Sequence, residues 1–431
     1  MGSTQKETAR RRGATALYAV FFINGLVLAG WAPRIPQIKA DLGLTEAELG
    51  LALLGVALGS LPAMAAAGVL VNRFGSHTVV RITVVWYAAS IVLPGLARNL
   101  AGLVASLTVL GAAVGSLDVA MNTHAVEVER GSGRSRMSSF HGLYSAGALA
   151  GALLGTACAA LGLTPLAQFA GTAVVTAATA CFVGGALRPV PRQELPPHRN
   201  HPSHRNSPHR RNDQPRRVGP YRRRPRAGRL PLRLLLLSAL GLSVLMIEGA
   251  MTDWGSVYLA GSLHAGPGVA GTGYAVFALA MMAGRLGGDR AAGRLGPART
   301  VRYGAVLSGC AALTALAAGD PVVAVAAYGV VGLGIAASFP LVVSGAGRYP
   351  SGTNRADDPY SSRSTPGTAV ATVTSTGYLA FLAGPPLIGS LASAVSLRAA
   401  LLVVPALAVT AVCLAPLLGA GPDRGQPTDE H

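Results

Sequence analysis

Charged side chains are scarce in this chain. Only 13% of its 431 residues are Asp, Glu, Lys or Arg, about half the share of an ordinary soluble domain, which excludes a water-facing surface over most of its length. Cysteine is scarcer still: Cys158, Cys181, Cys310 and Cys413 are the full complement. Each lies inside an apolar run, far from the others, and they read as packing residues rather than disulfides or catalytic thiols. There is no phosphate-cradling glycine loop with a Lys, no metal-ligand cluster, and no nucleophile with His and Asp partners on a soluble segment. No enzyme activity, cofactor or metal is therefore expected, and ATP is set aside as an energy source.

Apolar residues are abundant, at 51%. A bilayer core about 30 Å thick needs roughly 20 apolar residues in a helix. Twelve runs qualify: 14–32, 48–71, 79–97, 100–126, 138–162, 165–187, 232–259, 268–288, 301–318, 321–345, 368–394 and 397–418. Several are rich in Gly and Ala, which lets helix backbones pack closely in lipid. The expected fold is an all-α membrane protein of twelve transmembrane helices in two six-helix bundles. Arg10, Arg11 and Arg12 precede the first run, as in a secretory signal, but no small-residue cleavage site follows and eleven further runs do, so the first run is expected to stay.

The net charge of +18 would ordinarily suggest nucleic acid, but its placement says otherwise. With twelve crossings, the side holding both termini and the central loop carries 32 of the 36 Lys and Arg. The other side has only Arg34, Lys39, Arg98 and Arg398. By the positive-inside rule the rich side is cytoplasmic, in a multi-pass protein of the cell membrane. Arg188 to Arg233 contains 14 Arg, 4 His and 2 acidic residues with repeated Pro; it cannot build a core and is expected to be a disordered cytoplasmic linker. Its partner would be anionic lipid headgroups, with no nucleic acid and no obligate protein partner. The expected organisation is a bundle over 1–187, the linker over 188–231 and a second bundle over 232–431.

The two bundles echo each other. Asn72-Arg73-Phe74-Gly75 after the second run returns as Gly293-Arg294-Leu295-Gly296 after the eighth, 221 positions later. Asn24-Gly25 and Trp31 in the first run return as Glu248-Gly249 and Trp254 in the seventh, at offsets of 224 and 223. This order and spacing argue for duplication of a six-helix unit.

Two such halves joined by a basic loop resemble the major facilitator superfamily of transporters. Gly68-x-x-x-Asn72-Arg73-x-Gly75 is similar to that family's signature between its second and third helices, where Asp usually stands in place of Asn72. The resemblance implies gate roles for Gly68, Arg73 and Gly75 and for Arg294 in the matching loop. Gly284-Arg285-x-x-Gly288-Asp289-Arg290 is the counterpart, and it gives Asp289 and Arg290 the same role in the second half. The stretches Gly30-Trp31-Ala32-Pro33-Arg34-Ile35-Pro36, Leu117-Asp118-Val119-Ala120-Met121-Asn122, Glu248 to Trp254, and Gly377-Tyr378 onward look like the branch of fucose permeases and their bacterial relatives.

Acidic side chains within a bilayer cost roughly 2.5 to 3.5 kcal/mol each, so they require a reason. Asp118 and Glu248 are the proton-coupling candidates, since desolvation favours a neutral carboxyl that can load a proton from one side and release it to the other. In the fucose permease group an acidic residue matching Asp118 handles substrate and proton. Asn24, Trp31, Asn122, Tyr144 and Tyr378 are the candidate substrate contacts, with the tyrosines suited to a sugar-like ring. Asp253, beside Trp254 near the outer end of its run, reads as an interfacial structural residue, as do His124 and His141 at the cytoplasmic end. The expected function is proton-coupled symport of a small polar solute by alternating access. Efflux of drug-like or metabolite molecules is the alternative, and a transporter-derived membrane sensor is the reading of another class.

Overall fold

The structure is a computed structural model that describes residues 3–132, 137–187, 232–348 and 366–419. Those residues form helices and no strand. Twelve of the helical segments are long and apolar enough to cross a bilayer. Spans 1 to 6 are Arg12–Asp41, Glu46–Phe74, Ser76–Leu96, Leu100–Glu129, Ser139–Ala160 and Pro165–Ala186. Spans 7 to 12 are Leu232–Gly261, Pro267–Leu295, Pro297–Ala318, Pro321–Gly347, Thr372–Ala394 and Leu397–Leu418. The basic central stretch 188–231 lies outside the described residues.

Span 1 runs further than its apolar stretch because Pro33 and Pro36 sit in the first turns of a short 3-10 turn and of the following helix, where a missing N–H costs nothing. Span 2 opens on a capping box: Thr45 N donates to Glu48 Oε2 at 2.9 Å, and Glu48 N donates to Thr45 Oγ1 at 3.2 Å. Asp320 caps span 10 by accepting from the amides of Val322 and Val323. These caps satisfy amides that have no partner within the helix.

Packing follows the duplication. Within the first half, span 1 packs on 5, span 2 on 4, and span 3 on 4 and 6. In the second half, span 7 packs on 11, span 8 on 10, and span 9 on 10 and 12. Each pair is its counterpart's image six spans on. The backbone repeats too: Gly75 and Gly296 have φ of 83° and 82° with ψ of 146° and 153°. That region is open essentially to glycine alone, and in both halves it turns the chain directly from one span into the next.

The halves meet along two seams, span 2 with 11 and span 5 with 8. Both are tight at the end away from the basic loops, here the far end. A Cβ at Gly50 would lie 2.5 Å from Pro385 O, one at Gly389 2.5 Å from Glu46 O, and one at Gly268 3.0 Å from the Ala160 side chain. At the basic end, a Cβ on Gly68, Gly142 or Gly287 would meet nothing within 4 Å. The cleft between the halves is closed at the far end and open at the basic end.

Candidate functional site

Asp118 and Asn122 stand one turn apart on span 4. The Asn122 amide donates to the Asp118 carboxylate at 3.0 Å and to its backbone carbonyl at 2.9 Å. His141 on span 5 interacts electrostatically with that carboxylate. Tyr144, three residues on, lies within reach of the same charge. In the other half, Glu248 of span 7 accepts from the Arg285 guanidinium of span 8 at 3.1 Å. Arg285 also acts across the cleft on His141 and Tyr144, and Tyr274 of span 8 lies in the fields of Tyr144 and Glu248. One polar pair from each half therefore faces the other near mid-depth.

The Glu248 and Arg285 side chains are 25% and 41% exposed. An ion pair that open contributes about 0–1 kcal/mol, so it can be broken and remade within a transport cycle at little cost. Arg285, which falls within the apolar run 268–288 but is not among the candidate substrate or proton-coupling residues, is inside span 8, ten residues before its end at Leu295, or about 15 Å of helix. The charge-bearing stretch that follows it continues the helix and hides its depth.

The chain matches the Major Facilitator Superfamily family over residues 17–357. It belongs to that superfamily. It is 34% identical over 380 residues to an uncharacterised MFS-type transporter of Yersinia pestis, covering 88% of this chain and 89% of that one. It is 29% identical over 413 residues to the membrane protein MosC of Rhizobium meliloti, covering 96% and 92%. Among solved structures, the nucleoside transporter NupG superposes with a TM-score of 0.66 at 13% identity, covering 94% and 99%. A bacterial homologue of the human lysosomal transporter Spinster, inward-facing and unoccupied, gives 0.66 at 14% identity, covering 95% and 96%. At such identities the two structures speak for the fold alone. The superfamily consists of carriers rather than enzymes.

The remaining candidates divide. Asn24 is 2% exposed, its amide turned toward Met121 Sδ at 3.7 Å, and its Oδ1 has no hydrogen-bond partner. Trp31 is also buried, stacked on Phe169 with ring centroids 5.9 Å apart. Both are packed inside the first half, away from the cleft. Tyr378 belongs to the span 11 helix, and its side chain lies outside the described residues. At the basic end, Arg73, Asp289, Arg290 and Arg294 are exposed, the Arg73 guanidinium lies 5.3 Å from the centre of the Phe74 ring, Gly68 is half-buried, and Gly75 forms the turn after span 2. Among the described residues no ion pair joins these groups across the opening.

Three histidine and acidic residues differ from their sequence reading. His124 is 1% exposed rather than interfacial, and its Nδ1 is 2.8 Å from Ser76 Oγ. Ser76 Oγ also donates to Glu127 Oε2 at 2.5 Å, which ties the start of span 3 to span 4. His141 faces the cleft beside Asp118. Asp253 is not at a lipid interface: it lines a crevice between spans 7 and 11, and its neighbour Trp254 is fully buried. Arg34 is likewise fully buried in the far-end seal, one nitrogen donating to the Leu163 carbonyl while Nε and Nη1 have no partner.

Proposed function

We propose that this carrier is a proton-coupled symporter of a small polar, sugar-like solute that works by alternating access. The observation that carries the reading is the pair of facing groups: Asp118 with Asn122 and His141 in one half, Glu248 with Arg285 in the other. A carboxylate held by an amide and one held by a guanidinium differ in how readily they take a proton, and both sit where the open cleft reaches them. Proton loading at one releases its partner for solute, and closure of the basic end commits both. Tyr144 and Tyr274 supply ring faces and hydroxyls beside them. The motifs resembling the fucose permease branch support a polar cargo.

The rocking bodies in this reading are residues 1–187 and 232–431, with 188–231 as a tether against anionic lipid. The strong Arg excess on the side of the basic loops supports cytoplasmic termini in the cell membrane, and the basic-end opening then corresponds to an inward-facing state, as in the Spinster homologue. The test is Asp118→Asn in proteoliposomes supplied with a panel of sugars. Proton-driven accumulation is expected to vanish while solute counterflow persists. Unchanged accumulation would remove Asp118 from coupling, and an absence of counterflow for every solute would remove symport.

A further inference from the structure

Among the described residues no Lys or Arg lies further from both ends of its span than Arg285. A guanidinium at that depth is costly to place in a bilayer and keeps its charge at every physiological pH, so it requires an anion beside it. Glu248 supplies one, through a contact of 3.1 Å between the guanidinium Nη2 and the carboxylate Oε1. The guanidinium carries five N–H donors in a planar fork, and with 41% of the side chain exposed the rest of that fork is open to the cleft. Around it stand His141 and Tyr144 of span 5 and Tyr274 of span 8, and the two tyrosines also face Glu248. His141 is within reach of Asp118 as well, whose carboxylate is held by Asn122.

Charge balance at this pair restricts what can be carried. When Glu248 takes a proton the pair loses its negative member, and Arg285 is left as a lone cation. Water solvates that cation while the basic end is open, but closing the cleft over it is strongly unfavourable. A neutral solute leaves the charge in place, and an organic cation adds to it. A monoanion cancels it. The same monoanion without the proton would set two negative groups against one guanidinium. Two fillings of the closed cleft are therefore neutral at this pair: the empty ion pair, and a protonated Glu248 with a monoanion on Arg285.

We propose that the cargo is a small hydroxylated carboxylate of the sugar-acid type, and that Arg285 binds its carboxylate when protonation of Glu248 releases the guanidinium. This rests on the symport reading and specifies its substrate class. The guanidinium fork matches a carboxylate with two parallel hydrogen bonds, stronger than bonds between neutral groups. Tyr144 and Tyr274 offer ring faces and hydroxyls to the rest of the molecule. A phosphate monoester also fits the fork, but its second negative charge is left over when one proton enters.

The experiment is a thermal-shift titration of the full-length purified protein with matched pairs: glucuronate against glucose, gluconate against glucitol, and lactate against 1,2-propanediol, with glucose 6-phosphate as a further arm. At least one carboxylate is expected to stabilise at a concentration about tenfold or more below that of its neutral twin. Lowering the pH by one unit, where that carboxylate stays ionised, is expected to reduce the concentration needed by about threefold to tenfold, because one proton enters with each solute. Glu248→Gln, which imitates the protonated state, is expected to keep the preference and lose the pH dependence. Glu248→Gln combined with Arg285→Gln replaces the ion pair by a neutral one, so the fold is retained, and is expected to erase the preference. Five results would overturn the assignment: no stabilisation by any carboxylate, neutral twins that stabilise equally, tighter stabilisation by glucose 6-phosphate, a preference that survives the double variant, or a pH dependence that survives Glu248→Gln. Symport fails separately. Carboxylates that bind through Arg285 but do not accumulate under a proton gradient would leave the anchor standing without the coupling.

Discussion

Closure of the far end depends on a place where helix backbones touch, and a single methyl group should disturb it. In Gly389→Ala the new Cβ would lie 2.5 Å from Glu46 O and 3.1 Å from Gly50 Cα, both backbone atoms of span 2. Ordinary carbon–oxygen contact is well over 3 Å, so spans 2 and 11 must separate by several tenths of an ångström. Overpacking of this kind costs about 1–3 kcal/mol, and it is felt only while the seam is closed. At about 1.4 kcal/mol per factor of ten, the balance should move roughly 5- to 150-fold toward the state closed at the basic end. The reporter is Gly142→Cys, with the four native cysteines replaced. Position 142 is exposed, and its Cβ meets nothing in the present state. Its rate of alkylation by a hydrophilic maleimide should drop at least fivefold when Gly389→Ala is added. Gly184→Ala, also on open space, should leave the rate unchanged. An alkylation rate and a transport rate both within twofold of the parent would show that this seam does not gate the carrier.

Removing the central cation should separate function from stability. Arg285→Ala gives up an ion pair that contributes about 0–1 kcal/mol, so the thermal midpoint should scarcely move while solute accumulation is lost; retained accumulation would take Arg285 out of the site. The Ser76–His124–Glu127 network, in which Ser76 and His124 are buried, should behave in the opposite way. Ser76→Ala leaves the buried His124 Nδ1 with only the 3.5 Å contact to Glu127, and a loss of about 1–3 kcal/mol is expected, seen as a lower unfolding midpoint with solute binding per folded molecule unchanged. A midpoint equal to the parent's would mean that water replaces the hydroxyl.

The fold is legible in the sequence because the lipid environment imposes a coarse rule. Twelve apolar runs correspond to twelve spans, and ends differ mainly where polar helix continues beyond the apolar stretch, as from Trp31 to Asp41 and from Gly288 to Leu295. Depth along a helix can also be counted, which places Asp118 and Glu248. Azimuth cannot. Asn24 and Glu248 occupy equivalent positions at mid-depth, yet Asn24 turns into its own bundle and Glu248 turns toward Arg285. Which neighbour a side chain meets depends on helix rotation, and a nearly all-apolar helix carries little periodicity to fix it. Asp253 and His124 differ from their sequence reading for the same reason: depth is right for each, and the surroundings are not.

The duplication itself separates scaffold from chemistry. Features that recur at the offset of 221 to 224 are those on which the architecture depends: Gly75 and Gly296 turn the chain with the same dihedral angles, and Trp31 and Trp254 are both buried. The charged groups of the cleft do not recur. Arg285 corresponds to Met64, Glu248 to Asn24, and no acidic residue occurs at 339–342, where an image of Asp118 would fall. A symmetric pair of bundles can exchange two equivalent conformations, but a symmetric distribution of charge would give a solute and a proton no reason to depend on each other. Coupling requires that the two halves differ in what they bind. The asymmetry is greatest along span 7, which carries Glu248 toward span 8 and Asp253 toward span 11, whereas span 1 offers one buried amide. The proposed symport draws on this asymmetry: the second half carries Glu248 paired with Arg285, while the first supplies Asp118 held by Asn122.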